Sequence, residues 1–220
     1  MNKKIAVIFD MDGVICHTNP YHSLAFQEFF LKRSLTPTEE EFATHMYGKS
    51  NSYILSHFLK RPIQGQELLE LEEEKESMFR MIYKPHIEPI TGILTFISDL
   101  KNNGAQIGVA TSAPYANLEL ILSKVAIREN LGSIMASEDV RNHKPDPEVY
   151  LTSASNLGIA PEQCVVFEDS FSGVTAALNA GMKVVGVLTS HTKEELPPCN
   201  LYIENYLALS YQDIIPLLEN

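Results

Sequence analysis

Three cysteines in 220 residues, Cys16, Cys164 and Cys199, have no short spacing among them. That is too little for a disulfide framework and the wrong pattern for a zinc knuckle, so a reducing cytosol is the expected setting. Long apolar runs are missing too: residues 5–9 and 184–187 fall far short of the ~20 residues a membrane helix needs. Met1-Asn2-Lys3-Lys4 leads into a strand-like run and not into a signal peptide, which gives the expectation of an unexported, cytoplasmic protein. Positive charge is scarce, with 17 Lys and Arg against 28 Asp and Glu, a formal charge of −11, and no basic cluster longer than a pair. The electrostatic footprint of a nucleic-acid partner is therefore absent. A small anionic substrate stays open, provided that a local positive group or a divalent cation serves it. No internal repeat or low-complexity segment is present, and the glutamates of residues 67–76 read as a solvated helix face.

What the chain does have is 45% hydrophobic residues over a length that lets a domain bury roughly 70% of its unfolded surface. Residues 4–9 form a compact Ile/Val-rich run that ends at Asp10, a buried strand closing in a polar turn. From Tyr21 to about Lys84 the pattern is helical, over residues 22–32, 38–46, 50–59 and 64–82, with Leu24, Phe26, Phe29 and Phe30 at helix spacing. Thr36-Pro37-Thr38-Glu39-Glu40-Glu41 reads as a capped, acidic helix start. Beyond Pro89, helix (93–102, 115–124, 147–157, 173–180) alternates with strand (105–110, 133–136, 164–167, 183–187). Continuous β-branched strands joined by helices predict a parallel sheet covered on both faces. The expected architecture is an α/β, three-layer Rossmann-like core of residues 1–15 and 88–220, with residues 16–87 as an inserted helical-bundle cap domain. An insertion there lies where open sheets bind ligands.

Phe9-Asp10-Met11-Asp12-Gly13 puts two carboxylates two residues apart just past a hydrophobic strand. In extended backbone both can point to one side, so one can attack while the other manages a proton; the same composition also makes ordinary turns. Its weight comes from partners at matching strand ends: Thr111 and Ser112, then Lys144-Pro145-Asp146-Pro147, then Glu168-Asp169. In a parallel sheet these ends meet at one edge. Asp10, Glu168 and Asp169 can offer hard oxygen ligands to Mg²⁺, and Lys144 and Thr111 can hold phosphoryl oxygens. Asp10 can then attack phosphorus to give an aspartyl-phosphate, with Asp12 as the acid and later the base.

The set Asp10-Met11-Asp12-Gly13-Val14-Ile15, Ala110-Thr111-Ser112, Lys144-Pro145-Asp146-Pro147-Glu148 and Phe167-Glu168-Asp169-Ser170, followed by Gly173 and the stretch to Gly181-Met182, resembles the haloacid dehalogenase-like superfamily. It is most similar to the branch with a helical cap after the first strand, which holds β-phosphoglucomutase and many small phosphatases. The resemblance implies Mg²⁺ dependence, Asp10 as nucleophile, Asp12 as general acid/base, and the Asp12 backbone carbonyl beside Asp10, Glu168 and Asp169 as metal ligands. Dehalogenases of the superfamily lack the second aspartate, and phosphonatases carry a cap lysine where Asn51 stands here.

Between phosphatase and mutase, His22 falls on the mutase's cap-hinge histidine. The mutase's cap glycine-x-serine-arginine, however, stands here as Gly48-Lys49-Ser50-Asn51, without the guanidinium fork that grips a second phosphate. The mutase's Ser-x-Ser-Lys is likewise changed to Thr111-Ser112-Ala113-Pro114, and His17 takes a hinge position where relatives more often have Asp. The expectation is a Mg²⁺-dependent phosphomonoester hydrolase of small sugar or metabolite phosphates, with Thr111, Ser112, Lys144, His22, Lys49, Ser50 and Asn51 contacting substrate. A β-phosphoglucomutase-type enzyme is the alternative, and a non-enzymatic interaction protein keeping the fold is the distant one. The expected partner is a phosphorylated small molecule, with no nucleic acid or membrane; the chain is expected as a monomer, a weak dimer being the alternative.

Overall fold

The computed structural model describes residues 4–46 and 50–219. Along the chain run β1 (Ala6–Phe9), α1 (Asn19–Leu31), α2 (Glu39–His45), α3 (Asn51–Phe58), α4 (Gly65–Tyr83), α5 (Ile93–Asn102), β2 (Gln106–Ala110), α6 (Tyr115–Leu122), β3 (Ser133–Met135), α7 (Glu148–Leu157), β4 (Cys164–Glu168), α8 (Phe171–Asn179), β5 (Lys183–Val187), β6 (Leu201–Ile203) and α9 (Tyr211–Ile214). The chain divides into two compact units, Met1–His17 with Ile87–Asn220, and Thr18–His86. Among the described residues no helix is long and apolar enough to cross a membrane.

In the first unit six strands form one parallel sheet in the order β3-β2-β1-β4-β5-β6. The earliest strand lies at the centre, with Ile8 opposite Gly108 of β2 and Val166 of β4. All four of its residues are buried, as an apolar run covered on both faces must be. Side-chain alternation sorts them. Ala6 and Ile8 join Val166 and Val184 in a cluster with Tyr150 and Ala154 of α7 and Val174 and Ala177 of α8. Phe9 points the other way and packs against Phe96 of α5, Phe167 and Tyr206, with ring centroids 5.0–6.2 Å apart. These layers make the expected Rossmann-like three-layer core. The segments entering and leaving the helical insertion run side by side, with Cys16 bridging to Pro89 and Ile90 N–H donating to Ile15 O at 2.8 Å.

The second unit is helical. α1 begins at Asn19, before the expected Tyr21, because Pro20 occupies the first turn, where its missing N–H leaves nothing unpaired. Thr38 and Glu41 form a reciprocal capping box at the start of α2. Phe30, Phe42 and Phe58 pack together at 4.8–6.3 Å between centroids. Phe26 and Phe29 are also buried, whereas Leu24, at the same expected helix spacing, is 44% exposed. The glutamate-rich stretch is not wholly solvated. Lys75 and Glu76 are buried, on the stripe of α4 that continues through Phe79 and Tyr83, and Lys75 Nζ lies 2.5 Å from Glu76 Oε1 and 3.1 Å from His22 Nδ1.

Candidate active site

Four chain segments meet at the C-terminal edge of the sheet. Asp10 leaves β1 with its N–H on Phe167 O at 3.0 Å, which carries the central register one residue past the strand. The next residues turn tightly, with Ile15 N–H returning to Met11 O at 2.9 Å, and Gly13 adopts φ +72°, a conformation that a side chain would strain. Thr111 follows β2; its N–H is on Met135 O and its Oγ1 accepts Ala113 N–H at 3.1 Å. Thr111 is buried and Ser112 exposed. Lys144 comes from the loop before α7. Glu148, in the first turn of α7, pins that loop by accepting the N–H groups of Arg141 and Asn142 at 3.0 and 2.9 Å. Glu168 ends β4 and Asp169 follows it.

The hub is the Lys144 ammonium, whose side chain is 4% exposed. Its three donors reach Asp10 Oδ1 at 2.7 Å, Glu168 Oε1 at 2.8 Å and Ala110 O at 3.2 Å. The structure thus brings Asp10, Lys144 and Glu168 into direct contact, with the Thr111 segment beside them through Ala110. Glu168 is fully engaged. Oε1 also accepts Tyr150 Oη at 2.8 Å, and Oε2 accepts Asp169 N, Ser170 N and Ser170 Oγ at 2.9–3.0 Å. Those bonds make Glu168 the anchor that aims Lys144 at Asp10. Asp169 accepts the Ser190 hydroxyl at Oδ2 and, at its main-chain oxygen, His191 Nδ1–H at 2.9 Å.

The electrostatics follow from burying several carboxylates around one ammonium. Burial pushes Asp10 up to about 7, against the pull of Lys144 and with Glu168 and Asp12 adding to the rise. Burial, then Glu168 and Asp10, push Asp169 well above the carboxylate range. Glu168 is lowered because Lys144 and its donors outweigh its own burial. Lys144 is raised because Asp10 and Glu168 outweigh the burial that opposes its charge.

This surplus of negative charge is the test of whether a divalent cation belongs here. Among the described residues no three carboxylate, imidazole or thiolate groups stand together as a ready metal cage. Mg²⁺ does not ask for one; it binds through one or two carboxylates, substrate phosphate and water. Of the expected ligands, Glu168 is taken up by Lys144, Tyr150 and Ser170, while Asp10 and Asp169 repel one another, a charge that a cation would offset. Space is kept for these carboxyl groups by glycine: a Cβ at Gly13 would overlap the Asp169 carboxyl, and one at Gly173 would overlap that of Glu168.

Gly173 gives a direct check. In α8 an alanine ordinarily gains about 1 kcal/mol over glycine. Here the methyl would displace Glu168, and overpacking of this kind costs about 1–3 kcal/mol before the lost hydrogen bonds are counted. Gly173→Ala is expected to lower the melting temperature by roughly 4–8 °C, the equivalent of about 2 kcal/mol in a chain of this length. A calorimetric midpoint at or above wild type would refute the clash.

The remaining expected substrate residues belong to the helical unit. His22 lies in the first turn of α1, its ring stacked on Phe79 at 3.7 Å. Ser50 is the N-cap of α3, accepting Tyr53 N–H at 3.3 Å, and Asn51 opens that helix. Lys49 lies outside the described residues. His17, in the first unit, is exposed. Reading the sequence did not mark Tyr150, Thr189, Ser190 or His191. Tyr150 has the periodicity of a core residue, and the other three fall in a polar loop with no distinguishing pattern.

Comparison with known proteins gives a consistent picture. A family model described as haloacid dehalogenase-like hydrolase matches residues 7–187. The chain is 32% identical to β-phosphoglucomutase of Bacillus subtilis (83% of this chain, 82% of that protein). It is 31% identical to a phosphorylated carbohydrates phosphatase of Thermotoga maritima (84% and 86%). Among solved structures, a HAD hydrolase of family IA, variant 3, from Entamoeba histolytica superposes with a TM-score of 0.92 at 27% identity, covering 98% of this chain and 100% of that one.

Proposed function

Since the chain belongs to the haloacid dehalogenase-like hydrolases, we propose that it is a Mg²⁺-dependent phosphomonoester hydrolase acting on a small sugar or metabolite phosphate through an aspartyl-phosphate at Asp10. The observation that carries this reading is the Lys144 ammonium, buried and bonded to both Asp10 and Glu168 at 2.7 and 2.8 Å. It fixes the orientation of the Asp10 carboxylate, and its positive charge beside that carboxylate supports a role in holding phosphoryl oxygens. Thr111 lies at the neighbouring strand end, its backbone tied to β3.

In the first half-reaction an Asp10 oxygen forms a bond to phosphorus as the bond to the leaving oxygen breaks, and Asp12 gives that oxygen its proton. In the second, Asp12 takes a proton from water, whose oxygen attacks phosphorus and restores the Asp10 carboxylate. Asp10 and Asp169, with the Asp12 backbone carbonyl, would hold Mg²⁺, which would supply the positive charge that lets a phosphate dianion approach these carboxylates.

The relative from Thermotoga maritima favours the phosphatase, and the one from Bacillus subtilis supports a mutase as the second reading. The arginine-free segment Gly48-Lys49-Ser50-Asn51 weighs for the phosphatase, since a mutase must hold a bisphosphate at both ends. The decisive experiment supplies β-glucose 1-phosphate and a panel of other sugar monophosphates with Mg²⁺, with and without glucose 1,6-bisphosphate, and follows phosphate and glucose 6-phosphate together. The expected result is Mg²⁺-dependent release of phosphate, abolished by chelation, exceeding isomerisation. Isomerisation well above phosphate release would replace the phosphatase by the mutase.

A further inference from the structure

The loop after β5 reaches the edge of the carboxylate cluster with three consecutive side chains, one on a carboxylate and two on backbone oxygens. Thr189 Oγ1 donates to Gly13 O at 2.5 Å, Ser190 Oγ donates to Asp169 Oδ2, and His191 Nδ1–H donates to Asp169 O at 2.9 Å. One bond is made to the turn after β1 and two to the residue after β4, so a single short segment ties the segment that follows Asp10 to Asp169. The loop's own turn does not require these side chains; it is closed by backbone, with Thr189 N–H on Val187 O at 2.9 Å. Nor do they fill a core: Ser190 is exposed and Thr189 and His191 are half-buried, yet all three spend their polar atoms inward. Gly13 is part of the same fit, since a Cβ there would come within 3.0 Å of Ser190 Oγ as well as overlapping Asp169.

We propose that Thr189-Ser190-His191 is a positioning strap that sets the affinity of this enzyme for its divalent cation by locking the rotation and backbone position of Asp169. The inference rests on the Mg²⁺ reading above. A carboxylate is a good ligand for a small, geometrically demanding cation only when it is held in one orientation, and partners that hold a ligand without touching the metal are worth about 10- to 100-fold in metal affinity. Ser190 holds one oxygen of Asp169, His191 holds its main chain, and Thr189 keeps the Asp12–Gly13 turn against them. None of the three is a catalytic residue; each acts through Asp169 or Gly13.

The test is Mg²⁺ titration by calorimetry of the full-length protein without substrate, comparing wild type, Ser190→Ala and Ser190→Thr. Ser190→Ala is expected to weaken Mg²⁺ binding about 10- to 100-fold. Its metal-free melting temperature should stay close to wild type, because the residue is exposed. Ser190→Thr, which keeps the hydroxyl, should restore most of the affinity. In steady-state assays the Mg²⁺ concentration for half-maximal rate should rise in step with the calorimetric constant, and by more than kcat falls. Equal Mg²⁺ affinity in wild type and Ser190→Ala overturns the strap while leaving the phosphatase reading intact. Failure to release phosphate from any sugar phosphate, with the difference in Mg²⁺ affinity present, overturns that reading and leaves the strap.

Discussion

Asp10→Asn is expected to reduce phosphate release by about 10⁴-fold or more, the scale on which losing a covalent nucleophile acts. The amide keeps the size of the side chain and an oxygen for the 2.7 Å contact with Lys144, so the loss falls on chemistry and not on folding. Stability should stay level or rise. The wild-type carboxylate is buried and pushed up to about 7 by that burial, with Glu168 and Asp12 repelling its charge, and the amide carries no charge to repel. The measurement is turnover on the best substrate of the panel beside a thermal melt. Retained turnover would remove Asp10 from the role of nucleophile, and a fall in turnover matched by loss of folded protein would make its part structural.

Lys144→Ala should damage both properties. It leaves Asp10 and Glu168 facing one another inside the protein without their shared cation, and breaking a buried pair from one side costs about 3–5 kcal/mol. For a chain of this length that corresponds to a drop in melting temperature of about 6–20 °C. The same change removes a preorganised positive charge from the proposed phosphoryl site, for which a further 10²- to 10³-fold loss in kcat is expected. A variant that melts with the wild type would mean that Lys144 is not the charge balance of the cluster.

The contrast between these substitutions shows why parts of the site could be read from sequence and others could not. Asp10, Lys144 and Glu168 lie up to 158 residues apart, yet each directly follows or ends a strand or precedes a helix. The rule that parallel strands deliver their C-terminal ends to one edge was enough to bring them together. Hydrophobic periodicity placed the core elements for the same reason: residues 93–102 and 183–187 needed no adjustment. Where tertiary partners decide, local pattern misled. Lys75 and Glu76 are charges in a charged run and read as solvated, but they fall on the stripe of α4 that packs inward and neutralise one another there. Tyr150 reads as one more apolar position of α7, although its hydroxyl goes to Glu168. The three-residue strand β6 is half-buried at the edge of the sheet and too short for alternation to register. Ser190 carries no local signal, because its partner was fixed by the path of a loop.

The bridge between Cys16 and Pro89, with Ile90 donating to Ile15, means that the chain departs from the sheet and returns to it through one narrow doorway. Everything between those points is, for the sheet, a detour that begins and ends at the same place. A segment with such termini can be lengthened, shortened or exchanged for an unrelated one while Asp10 keeps its register and its contact with Lys144. The carboxylate chemistry and the inserted domain are therefore free to evolve on separate schedules.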